Sequence, residues 1–167
     1  MKKLMLCMLA VCAFYLISCH KNPAEKYVGT YTLTSTENYS LAGIDKNSDK
    51  FTRQENGTMT IRLDGDNGQV VIEGDVFNTT GYVDESGILH LDNERHASNG
   101  GNINLFDHDV VGVEVSANMT HHSMSLTNET LSWTSDGTGS FQTYLGSIPL
   151  ISGIAKASFS NKAVRQQ

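Results

Sequence analysis

Met59-Thr60-Ile61-Arg62-Leu63-Asp64-Gly65-Asp66-Asn67-Gly68 alternates apolar and polar residues for five positions and then breaks into turn residues. Alternation at period two puts Met59, Ile61 and Leu63 on one face of a strand and Thr60 and Arg62 on the wet one. Asp-Gly and Asn-Gly tolerate the positive φ that tight turns demand, so residues 64–68 read as a hairpin connection. The same grammar appears upstream, where Tyr27-Val28-Gly29-Thr30-Tyr31-Thr32-Leu33-Thr34 sets Tyr, Gly, Tyr and Leu against Val and three Thr.

Working outward, further strand-period segments fall at 69–77, 80–84, 87–92, 103–106, 110–116, 119–127, 130–134, 139–146 and 150–160. Thr120-His121-His122-Ser123-Met124-Ser125-Leu126 is the most polar of them and is expected as an edge strand. After residue 18 no window repeats apolar residues at i, i+3, i+4 and i+7 for three turns, so no substantial helix is expected. Short strands with turn signals between them predict an all-β fold, either an antiparallel meander barrel or a β-sandwich. Two polar segments, Glu37–Asn56 and Asp92–Asn102, are expected as loops, the first a candidate lid. Gly137-Thr138-Gly139 is expected to turn a hairpin.

The chain opens differently. Met1-Lys2-Lys3 is a short basic start, and Leu4–Ile17 is an uncharged apolar run of 14 residues. That suits a secretory signal core and falls short of the ~20 residues that span a bilayer. Leu16-Ile17-Ser18-Cys19 resembles the lipobox of bacterial lipoproteins, in which the Cys thiol is acylated and the peptide is cut before it. The resemblance implies a signal peptide at 1–18, a lipidated Cys19 with a short tether to residue 26, and one all-β domain over 27–167. It also implies attachment to a membrane through lipid, and the residue after the Cys, His20, favours the outer membrane. Both the periplasmic and the surface face stay open.

Residues 19–167 carry 10 Lys and Arg against 18 Asp and Glu, a formal charge of −8. Such a polyanion argues against nucleic acid or an anionic membrane surface as a partner. Cys7, Cys12 and Cys19 all lie in or beside the signal. The domain behind them therefore has no disulfide, no thiol nucleophile and no Cys-ligated metal, and must be held by its own core.

Tyr27-x-Gly29-x-Tyr31-x-Leu33 resembles the first strand of lipocalin-like barrels, where a Gly-x-Trp motif closes one end; here Tyr31 takes the Trp position. Gly153-Ile154-Ala155-Lys156-Ala157-Ser158-Phe159 is similar to the last strand of such barrels. The resemblance covers about a dozen residues and implies a lipocalin-like or calycin-like outline, of the kind common in small Bacteroidetes lipoproteins. The helix and disulfide of true lipocalins are missing.

Five histidines stand beyond His20: His90, His96, His108, His121 and His122. Adjacent His121 and His122 on a strand point to opposite faces and cannot share a metal there. Asp107-His108-Asp109 and Glu94-x-His96 are read as solvated loop groups, and no metal or cofactor is expected. An EF-hand reading of Asp64–Gly68 fails because the sixth and twelfth positions are Gln69 and Asp75; one of Asp45-x-Asn47-x-Asp49 fails at Lys50 and Asn56. No Gly-x-Ser-x-Gly elbow, His-Glu-x-x-His helix or phosphate loop occurs, and no catalytic residue is assigned. Trp133 is expected in the core, with a sugar-stacking surface alongside Tyr82, Phe141 or Tyr144 as the alternative. The expected function is non-catalytic: burial of a small apolar or amphipathic ligand in a barrel mouth, or docking on an envelope protein or polysaccharide.

Overall fold

A computed structural model of the chain describes residues 22–44, 49–105, 108–122 and 124–167. The signal segment, Cys19 and Asp45–Ser48 lie outside the described residues. One turn of 3-10 helix at Glu25–Tyr27 leads into ten strands: β1 (Gly29–Leu41), β2 (Lys50–Leu63), β3 (Gln69–Gly74), β4 (Thr79–Val83), β5 (Leu89–Leu91), β6 (Glu94–Leu105), β7 (His108–His121), β8 (Ser125–Thr127), β9 (Thr130–Leu145) and β10 (Ile148–Arg165). They form one antiparallel sheet in the order β5-β4-β3-β2-β1-β10-β9-β7-β6, with β8 paired to β9. The sheet curls into a half-barrel, and the all-β expectation holds. Among the described residues no helix is long and apolar enough to cross a membrane.

The Met59–Leu63 alternation lies on β2, with Met59 and Ile61 buried. The Asp64–Gly68 connection turns the chain with positive φ at Gly65 and Gly68. A second tight turn joins β8 to β9 through Asn128 and Glu129, both at positive φ, the pairing a two-residue hairpin needs. Glu129 is a poor residue for that conformation. It is held by Arg165, whose guanidinium pairs with its carboxylate and whose backbone N–H donates to its carbonyl at 2.9 Å.

Odd-numbered residues face inward on β1, β2, β9, β10 and β7 from Val113 on, while on β6 Glu94, His96 and Ser98 face inward and, past a bulge at Asn99/Gly101, Ile103 is buried. They build two apolar clusters, one at each end of the half-barrel. The first, around Tyr31, Leu33, Ile61, Ile72, Leu131 and Trp133, closes the end where the chain enters. Each buried aliphatic there contributes about 1.5–3 kcal/mol. Tyr31 is fully buried; its hydroxyl donates to the Tyr27 carbonyl at 2.7 Å and accepts from Arg165 Nη2 at 2.7 Å. At this end an isolated bridge, Met124 N–H to the Leu89 carbonyl at 3.2 Å, links the β5 edge to the segment before β8. The second cluster gathers Tyr39, Val113, Val115, Phe141 and Phe159 at the far end.

Three expectations are corrected. Glu37–Asn56 is not a long loop or lid: β1 runs on to Leu41 and β2 begins at Lys50, paired from Ser40↔Lys50 to Gly29↔Ile61. Asp92–Asn102 is largely β6. Polar inward residues on both segments hid the strands, because these residues border a cleft and not an apolar core. Gly137 and Gly139 lie within β9, not in a hairpin turn. A Cβ at Gly139 would come within 1.8 Å of the Ser116 carbonyl, and one at Gly137 within 2.3 Å of that of Asn118, so glycine is required where β9 presses on β7. The segment expected as an edge strand is divided: His121 ends β7, which is paired on both sides by β6 and β9.

Candidate functional site

Strand register lines up one transverse row of inward residues. Arg53 of β2 lies opposite Glu37 of β1, Glu37 opposite Phe159 of β10, Phe159 opposite Ser135 of β9, and Ser135 opposite His121 of β7. Ser35 and Asn161 flank the row on β1 and β10, and β6 adds Glu94, His96 and Ser98. The result is a polar belt between the two apolar clusters. Glu37 is 1% exposed, and Ser35, Ser98, Ser135 and Asn161 are also buried.

Burying these groups is tolerable only because they bond to one another. Tyr39 Oη donates to Glu37 Oε2 at 2.7 Å. With its one proton given away, that oxygen accepts from His96 Nε2–H at 3.2 Å. Stacking on Phe51 and an edge contact with Phe159 fix the Tyr39 ring. Arg53 Nη1 donates to Ser98 Oγ at 2.7 Å and also pairs with Glu55. His121 Nδ1 meets Ser135 Oγ at 2.7 Å, and Asn161 Nδ2 donates to the same oxygen at 3.3 Å. Phe77 packs edge-on against His121 and tilted against Trp133, separating the belt from the cluster at the entry end.

Burial dominates the titration of the belt. It pushes Glu94 up to about 7. Glu37 is also raised by burial, against the opposing Tyr39 bond and Arg53 charge. Burial lowers His96, helped by Arg53, and lowers His121 to about 4, helped by His122. Near neutral pH both imidazoles are therefore uncharged, and Glu94 sits close to its midpoint. His121 Nε2 and Glu94 Oε1 are 3.8 Å apart, too far for a direct hydrogen bond. Among the described residues His121 Nε2 is a buried polar atom without a partner, as is Trp133 Nε1.

The belt opens to one side. β6 ends the sheet, and β2 pairs with β3 only from Met59 onward, so the first half of β2 faces β6 with no backbone ladder between them. Between them lies a cleft of about 400 Å³ lined by Arg53, Glu55, Asp75, Asn78, Arg95 and neighbouring residues. Behind it is a recess of about 10 Å³, room for roughly one water-sized group. Val76, Glu94 and His96 line both spaces.

Glu94 and His96 are thus strand residues facing the interior, not solvated loop groups. His121 and His122 do point to opposite faces, with side-chain exposures of 2% and 55%. His122 pairs with Asp136 outside, and His90 pairs with Asp84 at 2.8 Å while stacking on Tyr82. The Asp107-His108-Asp109 group lies outside the residues whose side chains are described. Trp133 and Phe141 are buried in different clusters, so they offer no common stacking surface with Tyr82 or Tyr144. Among the described residues no three His, Cys, Asp or Glu side chains are placed to share a metal ion. No protein-family model, curated protein or solved structure matches the chain.

Proposed function

We propose that this chain is a lipid-anchored, non-catalytic envelope protein that binds a small polar molecule in the cleft between β2 and β6. The observation that carries the reading is the cleft itself: a hollow of ligand size whose floor is shared with buried groups of shifted pKa. An apolar ligand buried in a barrel mouth has less support, because the recess inside the belt holds only about one water-sized group. The lipocalin-like outline is supported by Tyr31, buried in the aromatic position of Gly29-Thr30-Tyr31 and capped by Arg165 of the last strand. The anchor reading rests on Leu16-Ile17-Ser18-Cys19. Asn22, whose side chain donates to the Gly65 carbonyl, is three residues from Cys19, so an acylated Cys19 would hold the entry end within ~10 Å of the bilayer.

A second reading, docking on an envelope protein or polysaccharide, is favoured by Leu145, Ile148, Leu150 and Ile154. These are 48–64% exposed about the tip of the β9–β10 hairpin, at the end away from Asn22. Native mass spectrometry of the full chain, extracted from membranes in a polyoxyethylene detergent, separates the two. The cleft reading expects a reproducible extra mass that disappears on denaturation and in Arg53→Ala. A bare mass from the organism's own membranes would overturn it in favour of docking.

A further inference from the structure

Arg53, Arg95 and Asp75, charged groups of the cleft, are already engaged. Arg53 is held by Glu55 and Ser98, Arg95 Nε donates to Ser116 Oγ at 2.9 Å, and Asp75 Oδ2 accepts from both the Thr58 backbone N–H and hydroxyl. An anionic ligand would have to break one of these pairs or bring its charge out of water without a counter-charge, and a cation would face Arg53 and Arg95 with Glu94 held near its midpoint by burial. An alkyl chain would cover the Glu94 carboxyl without giving it a hydrogen-bond partner. A hydroxyl meets neither objection, since it both donates and accepts and carries no charge.

The recess is built for one such group. The His121 side chain is 2% exposed, its Nδ1 is taken by Ser135, and its Nε2 lines the recess without a partner among the described residues. Glu94 Oε1 stands 3.8 Å across from it. One oxygen atom fits about 2.8 Å from both, accepting from one and donating to the other. We infer that the cleft takes a neutral, hydroxyl-rich small molecule of the polyol or sugar class and seats one of its hydroxyls between Glu94 and His121. This rests on the cleft being the binding site. Among the described residues no Phe, Tyr or Trp lines the cleft, so recognition comes from hydrogen bonds.

The test follows the histidine ring signals of the full chain, ¹⁵N-labelled and held in a polyoxyethylene detergent that contains no sugar. The probes are myo-inositol, methyl α-mannopyranoside and N-acetylglucosamine, set against glucuronate, glucosamine and octanoate. At least one neutral probe is expected to shift the His121 and His96 rings saturably. Glu94→Gln, which keeps a group able to donate and accept, should bind that probe within about three-fold of wild type, whereas His121→Phe should weaken it at least about ten-fold, the loss of one buried hydrogen bond. Should His121→Phe fail to fold, His121→Gln serves, with Glu94→Ala as the loss variant read from the His96 ring. Tighter binding of glucuronate, glucosamine or octanoate would overturn the inference, as would silence of both rings to every neutral probe. A charged or apolar adduct in the mass spectrum would refute the ligand class and leave the cleft standing; no adduct and no shift would remove both.

Discussion

Replacing Glu94 by Gln should stabilise the protein, and more so as the pH rises. The carboxyl is 15% exposed, and burial lifts it from 4.5 to about 7. In the unfolded chain it ionises near 4.5, so between 4.5 and 7 the unfolded state has already released a proton that the folded state keeps. Folding stability therefore falls as pH climbs through this window, and the deficit is complete above 7. At about 1.4 kcal/mol per unit the full deficit is about 3 kcal/mol, of which under about 1 kcal/mol is present at pH 5. Gln keeps the shape and carries no charge, so Glu94→Gln should gain little at pH 5 and about 3 kcal/mol at pH 8. Urea unfolding at several pH values reads this directly, provided the m-value is unchanged. A gain that does not vary with pH, or a loss at pH 8, would refute the reasoning.

Three further substitutions probe other parts of the account. Gly139→Ala drives a methyl into the Ser116 carbonyl, and should cost on the order of 3 kcal/mol or more in unfolding free energy; a near-neutral result would contradict the close β7–β9 approach. Arg165→Met removes the bonds to the Tyr31 hydroxyl and to Glu129, with an expected loss of about 1–3 kcal/mol in the same assay. Cys19→Ala should abolish lipid attachment and shift the protein from the membrane to the soluble fraction, and unchanged fractionation would sink the anchor reading.

The fold was legible where inward residues are apolar. Met59–Leu63 shows its phase at once, and Asp64–Gly68 declares its turn. On β1 the same phase runs through Tyr31, Leu33, Ser35, Glu37, Tyr39 and Leu41. Reading the strand as ended at Thr34 missed Glu37, although the return of Tyr39 and Leu41 in phase was the signal that could have found it. Glu94, His96 and Ser98 give no comparable signal: period two is visible only when one face differs from the other in polarity, and Arg95 lies between polar neighbours. Gly137 and Gly139 were misread because a glycine needed for backbone approach and one needed for a turn look alike in a sequence. Contacts such as Arg53 with Ser98 span 45 residues and exist only because the sheet curls. The belt as a site was therefore not legible; its members are ordinary polar residues until register aligns them.

The belt also explains why the half-barrel stays open beside β6. Closing the ladder would take β2 and β6 to strand spacing, about 4.8 Å, and would bring together the Arg53, Glu94 and His96 side chains that line the gap. Arg53, Glu55 and Arg95 at the two free edges also discourage a foreign strand from adding there. The opening is thus a consequence of which side chains face it.

The most direct test of the cleft is a crystal structure of the full chain purified from its native membrane without exchange of small molecules. The account predicts density for a bound molecule between β2 and β6, in contact with Glu94 and His96. A cleft holding only water, with a bound molecule or partner seated instead on the hairpin tip around Ile148, would contradict it.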